Sequence, residues 1–347
     1  MTTTTRDISK LVTIVFLARN TFDMTEKVLE RIVECTPQSV PMIVTDTGAP
    51  PAERAWMENF CARNAHLLLR SKTYTTPPQI RNAALDHVRT KYVCFIDNDV
   101  LVTPGWLDAL VNCAEETGAW VVGPLICERM PELTYVHGYD GDLEIRETED
   151  GARVYHDFHY NAHVRLADIE KDLVRKPTPI VEFHLQLIAM KVFEDVGRYD
   201  EEIVNMYEYA DLFLRFKTRD KIYLEPQSRV TYLPPRNIRR QDRWFFELRW
   251  SEAWTDLTEQ KFAANHGLSA RHPQAKPPHN FVRSQRMWGK NWLRAPRRWF
   301  GRPAIRKLER RYIVPIETIW NRWKYLKSTY GKIKPLELEV IRNQPGE

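Results

Sequence analysis

Two aspartates two residues apart, Asp97-Asn98-Asp99, stand directly after an apolar run, Tyr92 to Ile96. Carboxylates at this spacing share a hard divalent cation, Mg2+ or Mn2+, and such a cation bridges phosphate oxygens and neutralises a departing diphosphate. The same pair occurs in turns whose aspartates merely cap the next helix. Here the apolar run before it, with Val100 and Pro104-Gly105-Trp106-Leu107 after it, favours the metal reading. Glu208 and Asp211 form a second acidic pair, three residues apart and so on one side of a helix. Either can take the proton of a hydroxyl nucleophile; alternatively both decorate a helix N-terminus, where negative charge is stabilising. His184, in a strand-like run from Ile180 to Met190, and Trp250 are candidates for an acceptor site, although a lone strand histidine is more often structural.

These residues need a frame that brings them together. Leu11 to Ala18 reads as a buried strand, short and β-branched. Asp23-Met24-Thr25-Glu26 has a capping-box pattern before a helix carrying Val28, Leu29, Ile32 and Val33. Met42 to Thr45, His66 to Arg70 and Tyr92 to Ile96 read as further strands, with helices expected over 52–63 and 79–88. This alternation predicts an α/β fold with a mostly parallel sheet and helices on both faces. Ligands of such sheets bind beyond the carboxyl ends of the strands, where Arg19, Asp46 and Asp97 all fall. Residues 128–176 are polar and His-rich, expected to hold loops and a small antiparallel excursion. Ile222 to Leu224 and Ser228 to Tyr232 read as short strands, a helix is expected around Gly197 to Glu201 and another over 208–218, and Arg249 to Trp254 is expected on one helix.

The order of Val12 to Val15 with Arg19-Asn20, Asp46, Arg81-Asn82, Asp97-Asn98-Asp99, Pro104-Gly105-Trp106-Leu107, and Gly197 with Asp200-Glu201 resembles family 2 glycosyltransferases of the GT-A fold, over about residues 11–235. The resemblance implies that Arg19 and Asp46 contact the nucleotide base and that Arg81 and Asn82 lie near the nucleotide. It implies that Asp97 faces the ribose, with Asn98 beside it, and that Asp97 and Asp99 serve the metal. Asp46 has a local alternative in an Asx-turn before Gly48; Arg81 and Asn82 have one as ordinary helix residues. The chain departs from the family pattern twice. Tyr209 replaces the second acid of the Glu-Asp-x-Asp-Leu motif, often the base, which leaves Glu208, favoured, or Asp211. The family's downstream metal-ligand histidine has no counterpart in Arg229-Val230-Thr231-Tyr232.

Composition bounds the rest. With 43% hydrophobic residues the chain can bury a core, which excludes global disorder. Five scattered cysteines make neither a disulfide framework nor a zinc site and point to a reducing compartment. No signal or membrane-spanning segment is expected. Phe281 to Lys327 carries fourteen Lys or Arg and two Glu, a local charge of +12 that leaves −7 of the overall +5 to the remainder. Five tryptophans (Trp288, Trp292, Trp299, Trp320 and Trp323) lie in the same stretch. A basic helix with aromatic residues suits an anionic membrane surface, and the alternative is packing against the body or a second subunit; nucleic acid is not expected. The expected organisation is a tail (1–10), a GT-A domain (11–260), a linker (261–280) and a basic, tryptophan-rich helical extension (281–347).

The reading that results is a metal-dependent glycosyltransferase of polysaccharide biosynthesis. It moves a sugar from a nucleotide sugar, a UDP-sugar first, to a hydroxyl of a glycan or lipid-linked acceptor, with inversion as the resemblance implies. Its expected place is cytoplasmic, peripheral at the inner face of the membrane. The alternatives are a GT-A-like binding protein with weakened catalysis and a sugar nucleotidyltransferase; the latter lacks support because Leu17-Ala18-Arg19-Asn20 is not a Gly-rich phosphate loop.

Overall fold

The computed structural model describes residues 7–18, 20–216, 220–235, 237–275, 278–288, 290, 303, 307–326 and 335–342. The first half alternates as the periodicity predicts. β1 (Val12–Leu17), α1 (Thr25–Cys35), β2 (Met42–Asp46), α2 (Pro51–Asn64), β3 (Leu67–Ser71), α3 (Pro77–Leu85) and β4 (Tyr92–Asp97) follow one another. A short β5 (Val100–Val102), α4 (Trp106–Thr117), β6 (Val121–Glu128) and β7 (Tyr135–Gly138) come next. β1, β2 and β4 are buried along their whole length, so apart from the terminal Asp46 and Asp97 their residues are β-branched or apolar on both faces, as strands of a covered parallel sheet must be.

The His-rich middle forms a hairpin, β8 (Gly141–Glu147) with β9 (Arg153–His159). β10 (Lys176–Pro177), β11 (Leu185–Ala189) and β12 (Ile222–Tyr232) complete the central sheet. Its order is β10-β12-β6-β11-β4-β1-β2-β3, followed by β13 (Leu338–Arg342). β4, β1, β2 and β3 pair in parallel, as do β6 and β12, whereas β11 runs antiparallel between β4 and β6. The α/β expectation, with a mostly parallel sheet, therefore holds.

Several local readings shift. Asp23 accepts from Thr21 Oγ1 and makes no cap, so α1 begins without a side-chain cap. A full capping box occurs instead at Thr76 and Gln79, at the start of α3. Only Leu185–Ala189 of the run 180–190 is strand, because the partner β4 ends at Asp97 and the register closes at Leu185 opposite Ile96. Val181 instead packs over β6 at Gly123, where an added Cβ would fall 2.5 Å from Val181 Cβ, and Ile180 packs at Gly141, where the corresponding distance to its Cγ2 is 2.8 Å. Residues 197–201 form a turn after the helix Lys191–Asp195, with Gly197 at φ +83°. The two strands expected over 222–232 are one, with a register shift between Glu225 and Arg229. The helix expected through Arg249 to Trp254 divides into Arg243–Arg249 and Glu252–His266, because the Ser251 side chain accepts from Trp254 N at 3.2 Å and caps the second. That second helix crosses residue 261, the expected start of a linker. Within 281–347 lie the helices His279–Trp288 and Val314–Leu326, the latter preceded by a π-turn, and β13 on the sheet edge beside β3.

Candidate metal centre

β1 and β4 pair in parallel up to Leu17 opposite Asp97, so the chain leaves both strands at one rim. There Asn98 turns the backbone: its N–H donates to Leu17 O at 2.8 Å, and its side-chain amide to Thr21 O at 2.6 Å and Thr25 Oγ1 at 3.2 Å. This locks the aspartates on either side of it. Asn98 is thus an anchor of the turn, and its buried amide is spent on protein groups.

β11 supplies a third group. Its antiparallel pairing sets His184 beside the end of β4, where Asp97 N donates to His184 O at 3.0 Å. His184 Nδ1 lies 3.4 Å from Asp97 Oδ2 and 3.9 Å from Asp99 Oδ1. One ligand atom each from Asp97, Asp99 and His184 lies within 4.8 Å of the others, all three residues being buried. Two carboxylates and an imidazole suit a divalent cation of the Mn2+ or Mg2+ kind. His184 also groups with His137 and Glu182 at the same spacing, so the two sets share one imidazole. Tyr232 stacks on the His184 ring at 4.0 Å, and Phe183 lies between His184 and Tyr209 at 4.9 Å from each. His184, expected near an acceptor, thus joins the acidic pair. Its sequence signal was slight, a histidine just before an apolar run, because the antiparallel neighbour of β4 is far away in the chain.

Asn20, which precedes α1, was not singled out for a role of its own. Its Nδ2 donates to Asp99 Oδ2 at 3.1 Å, and its Oδ1, buried, has no hydrogen-bond partner among the described residues. The neighbouring rim holds another such atom, Thr47 Oγ1. Buried polar atoms without partners are uncommon in folded chains, and the Asn20 amide sits beside the carboxylate pair. Arg19 lies outside the described residues.

Asp46 is fully buried and fully engaged. Its Oδ1 accepts from Gly48 N at 3.1 Å and Ala49 N at 2.8 Å, the Asx-turn geometry, and Oδ2 meets Arg70 Nε at 3.1 Å and Arg54 Nε at 3.2 Å. Arg81 is buried too, its guanidinium carbon 5.8 Å from the Phe95 ring centroid and 5.6 Å from that of Tyr199. Its Nη1 donates to Glu208 Oε1 at 2.9 Å and its Nη2 lies 3.9 Å from Asp97 Oδ1, so one guanidinium joins both acidic motifs. Asn82 clamps the 197–201 turn, donating to Tyr199 O at 2.9 Å and Glu201 Oε1 at 3.0 Å and accepting from Tyr199 N at 3.2 Å.

The two base candidates differ in their surroundings. Asp211 Oδ1 is held by His266 Nε2 at 3.0 Å and Asn265 Nδ2 at 3.2 Å, and Oδ2 lies 3.1 Å from Arg215. Burial pushes its carboxyl up, but the His266 contact, the Arg215 charge and the Asn265 amide outweigh it and hold the group below the ordinary range. Glu208 Oε2 and Asp211 Oδ2 both lack a hydrogen-bond partner among the described residues, so the two acids differ in the Arg215 charge and the His266 contact beside Asp211. The Tyr209 phenol is pushed well above its ordinary value, by burial first and then by nearby acids. Trp250 is not brought to this rim: it is buried against Phe246, Phe281 and Val282, and its carbonyl accepts from Arg286 Nη1 at 2.7 Å.

A family model described as glycosyl transferase family 2 matches residues 13–196. No curated protein sequence matches the chain. Similar solved structures include a crystal structure of GalNAc-T7 with UDP, GalNAc and Mn2+, at 12% identity and a TM-score of 0.49, covering 82% of this chain and 57% of that one. Another is the mannosyltransferase PcManGT from Pyrobaculum calidifontis in complex with GDP-Man and Mn2+, at 15% identity and a TM-score of 0.47, covering 92% of this chain and 86% of that one. The chain thus spans little more than half the length of the first.

Proposed function

The chain belongs to glycosyl transferase family 2, and on that premise we propose that it transfers a sugar from a nucleotide-sugar donor to a hydroxyl of a glycan or lipid-linked acceptor, in a metal-dependent, inverting reaction at the inner face of a membrane. The observation that carries the reading is the convergence of Asp97, Asp99 and His184 on one point at the strand ends. A bound divalent cation would supply Lewis-acid neutralisation of the departing diphosphate. The chain's own groups do the positioning. Asn20 orients Asp99, the Asn98 amide fixes the turn, and Arg81 sets Asp97 and Glu208 relative to each other.

Glu208 is the proposed base: neither its Oε2 nor Asp211 Oδ2 has a hydrogen-bond partner among the described residues, but Asp211 Oδ2 lies 3.1 Å from the Arg215 guanidinium and Asp211 Oδ1 is held by His266, which keeps Asp211 ionised and poorly basic. The acceptor O–H proton passes to Glu208 as the acceptor oxygen bonds to the anomeric carbon. The bond from that carbon to the diphosphate breaks, and its electron pair leaves on the diphosphate oxygen.

Calorimetry with UDP and Mn2+ tests the centre. Asp99→Ala should abolish Mn2+-dependent UDP binding with the fold intact by circular dichroism; unchanged affinity overturns the metal role. Buried Tyr209, at the position of the second acid, favours one rival, a chain that binds donor with weakened turnover. A panel of nucleotide sugars with Mn2+ separates the two, since the rival binds without hydrolysing any of them.

A further inference from the structure

The helix Val314–Leu326 is turned with its polar side inward. Glu317, Asn321 and Tyr325, spaced four apart on one face, are buried. Each is pinned by the body. Arg286, itself buried, donates from Nε to Glu317 Oε1 at 2.9 Å and from Nη2 to Glu252 Oε1 at 2.7 Å. Asn321 Oδ1 accepts from Glu252 N at 3.0 Å, and Tyr325 OH donates to Glu247 Oε2 at 3.0 Å. A guanidinium with this many directed bonds fixes the roll of the helix.

The opposite face therefore points outward, and it is apolar. Tyr312, Ile316, Ile319, Trp320, Trp323 and Leu326 are spaced three and four apart, with Ile316 at 67% exposure and Ile319 at 71%. A helix that packs only to complete a core would turn these inward. Exposed basic residues flank the stripe, Lys307, Arg310 and Arg311, while Arg322 is held by Asp256 at 2.8 Å. The one acid on the Val314–Leu326 helix, Glu317, faces inward and is neutralised by Arg286 and Lys290.

We propose that this face lies on an anionic lipid surface, with Ile316, Ile319 and Trp320 among the acyl chains and the arginines at the headgroups. This deepens the membrane part of the function proposed above and does not depend on the donor chemistry. Charge decides the occupant. In a symmetric pair with a second copy the same patch meets itself, which would set one basic rim against another, whereas acidic headgroups attract it. Trp320 and Tyr312 suit the headgroup boundary, having an apolar ring and a polar tip. No helix among the described residues is long and apolar enough to cross a membrane, so attachment would be in the plane of the surface.

The test is co-sedimentation of the full chain with vesicles of phosphatidylcholine alone or with about 30% of the anionic lipid phosphatidylglycerol added. Binding should need the anionic lipid and weaken at least ~10-fold between 0.1 and 0.5 M NaCl, as the screening length shrinks to about 4 Å. Ile319→Ser/Trp320→Ser should lose it ~10-fold or more while circular dichroism and Mn2+-dependent UDP binding stay as in the parent. Two results overturn the proposal: no vesicle binding by the parent chain, or equal binding by the double variant. A parent that is dimeric in solution, ignores vesicles and becomes monomeric on the double substitution assigns the face to a second copy instead. Because UDP binding is read separately, failure here leaves the donor site standing, and loss of UDP binding leaves the vesicle result standing.

Discussion

Arg81 offers a quantitative handle on the candidate site. Its side chain is 5% exposed, that of Glu208 is 1%, and the pair is 2.9 Å apart. Replacing Arg81 by Gln removes the positive charge and leaves the Glu208 carboxylate buried without a counter-charge, with Asp97 also losing the guanidinium 3.9 Å away. Breaking a buried ion pair from one side typically costs ~3–5 kcal/mol, much of it the desolvation of the abandoned partner. At ~2 °C per kcal/mol, the low end for larger domains, the melting temperature should fall by at least ~6 °C. The same argument predicts its own repair. Arg81→Gln/Glu208→Gln replaces the pair by two neutral amides, so the double variant should recover more than half of the loss, with a coupling energy of ~1 kcal/mol or more. Differential scanning fluorimetry on parent, both single variants and the double variant supplies the whole cycle. An Arg81→Gln protein melting within ~2 °C of the parent, or strictly additive variants, would refute the reasoning, since either means that the charges are solvated or relaxed apart.

Two further outcomes follow from named contacts. Glu208→Gln should slow sugar transfer at least ~100-fold, the scale of a lost general base, with Mn2+-dependent UDP binding nearly intact; a large loss in Asp211→Asn and none in Glu208→Gln reverses the assignment. Burial lowers the His66 imidazole to about 4, and its Nε2 has no partner among the described residues. The unfolded chain therefore binds a proton near pH 6.5 that the folded chain refuses until about pH 4, and stability falls as pH drops through that window, by up to ~3 kcal/mol. Urea unfolding of His66→Phe from pH 7 to 4.5 should show a flatter profile than the parent; parallel profiles would remove His66 as the cause.

Much of this protein was legible because its elements are local. β1, β2 and β4 are short apolar runs ended by polar residues, and burial on both faces leaves a pattern that needs no knowledge of the partner strand. Asp97 and Asp99 were legible for the same reason: strand, acid and turn are consecutive. The boundaries that slipped, such as 180–190 and 249–254, depend on where a partner strand ends or on one serine hydroxyl, which apolar periodicity does not record.

What only the tertiary structure decided is which distant groups meet. His184 reaches the acidic pair because β11 inserts antiparallel between β4 and β6. Arg81 meets Glu208 across 127 residues of chain, and that contact turned an ordinary helix arginine into the link between two motifs. Asp46 shows the reverse: its type and place suggest a ligand, yet two backbone N–H groups and two arginines already engage its oxygens. The spacing of 312–326 announced an amphipathic helix but not its roll. A wheel with one polar and one apolar side does not say which side faces the body, and Arg286, whose fixed fork of donors engages Glu317, draws the polar side inward.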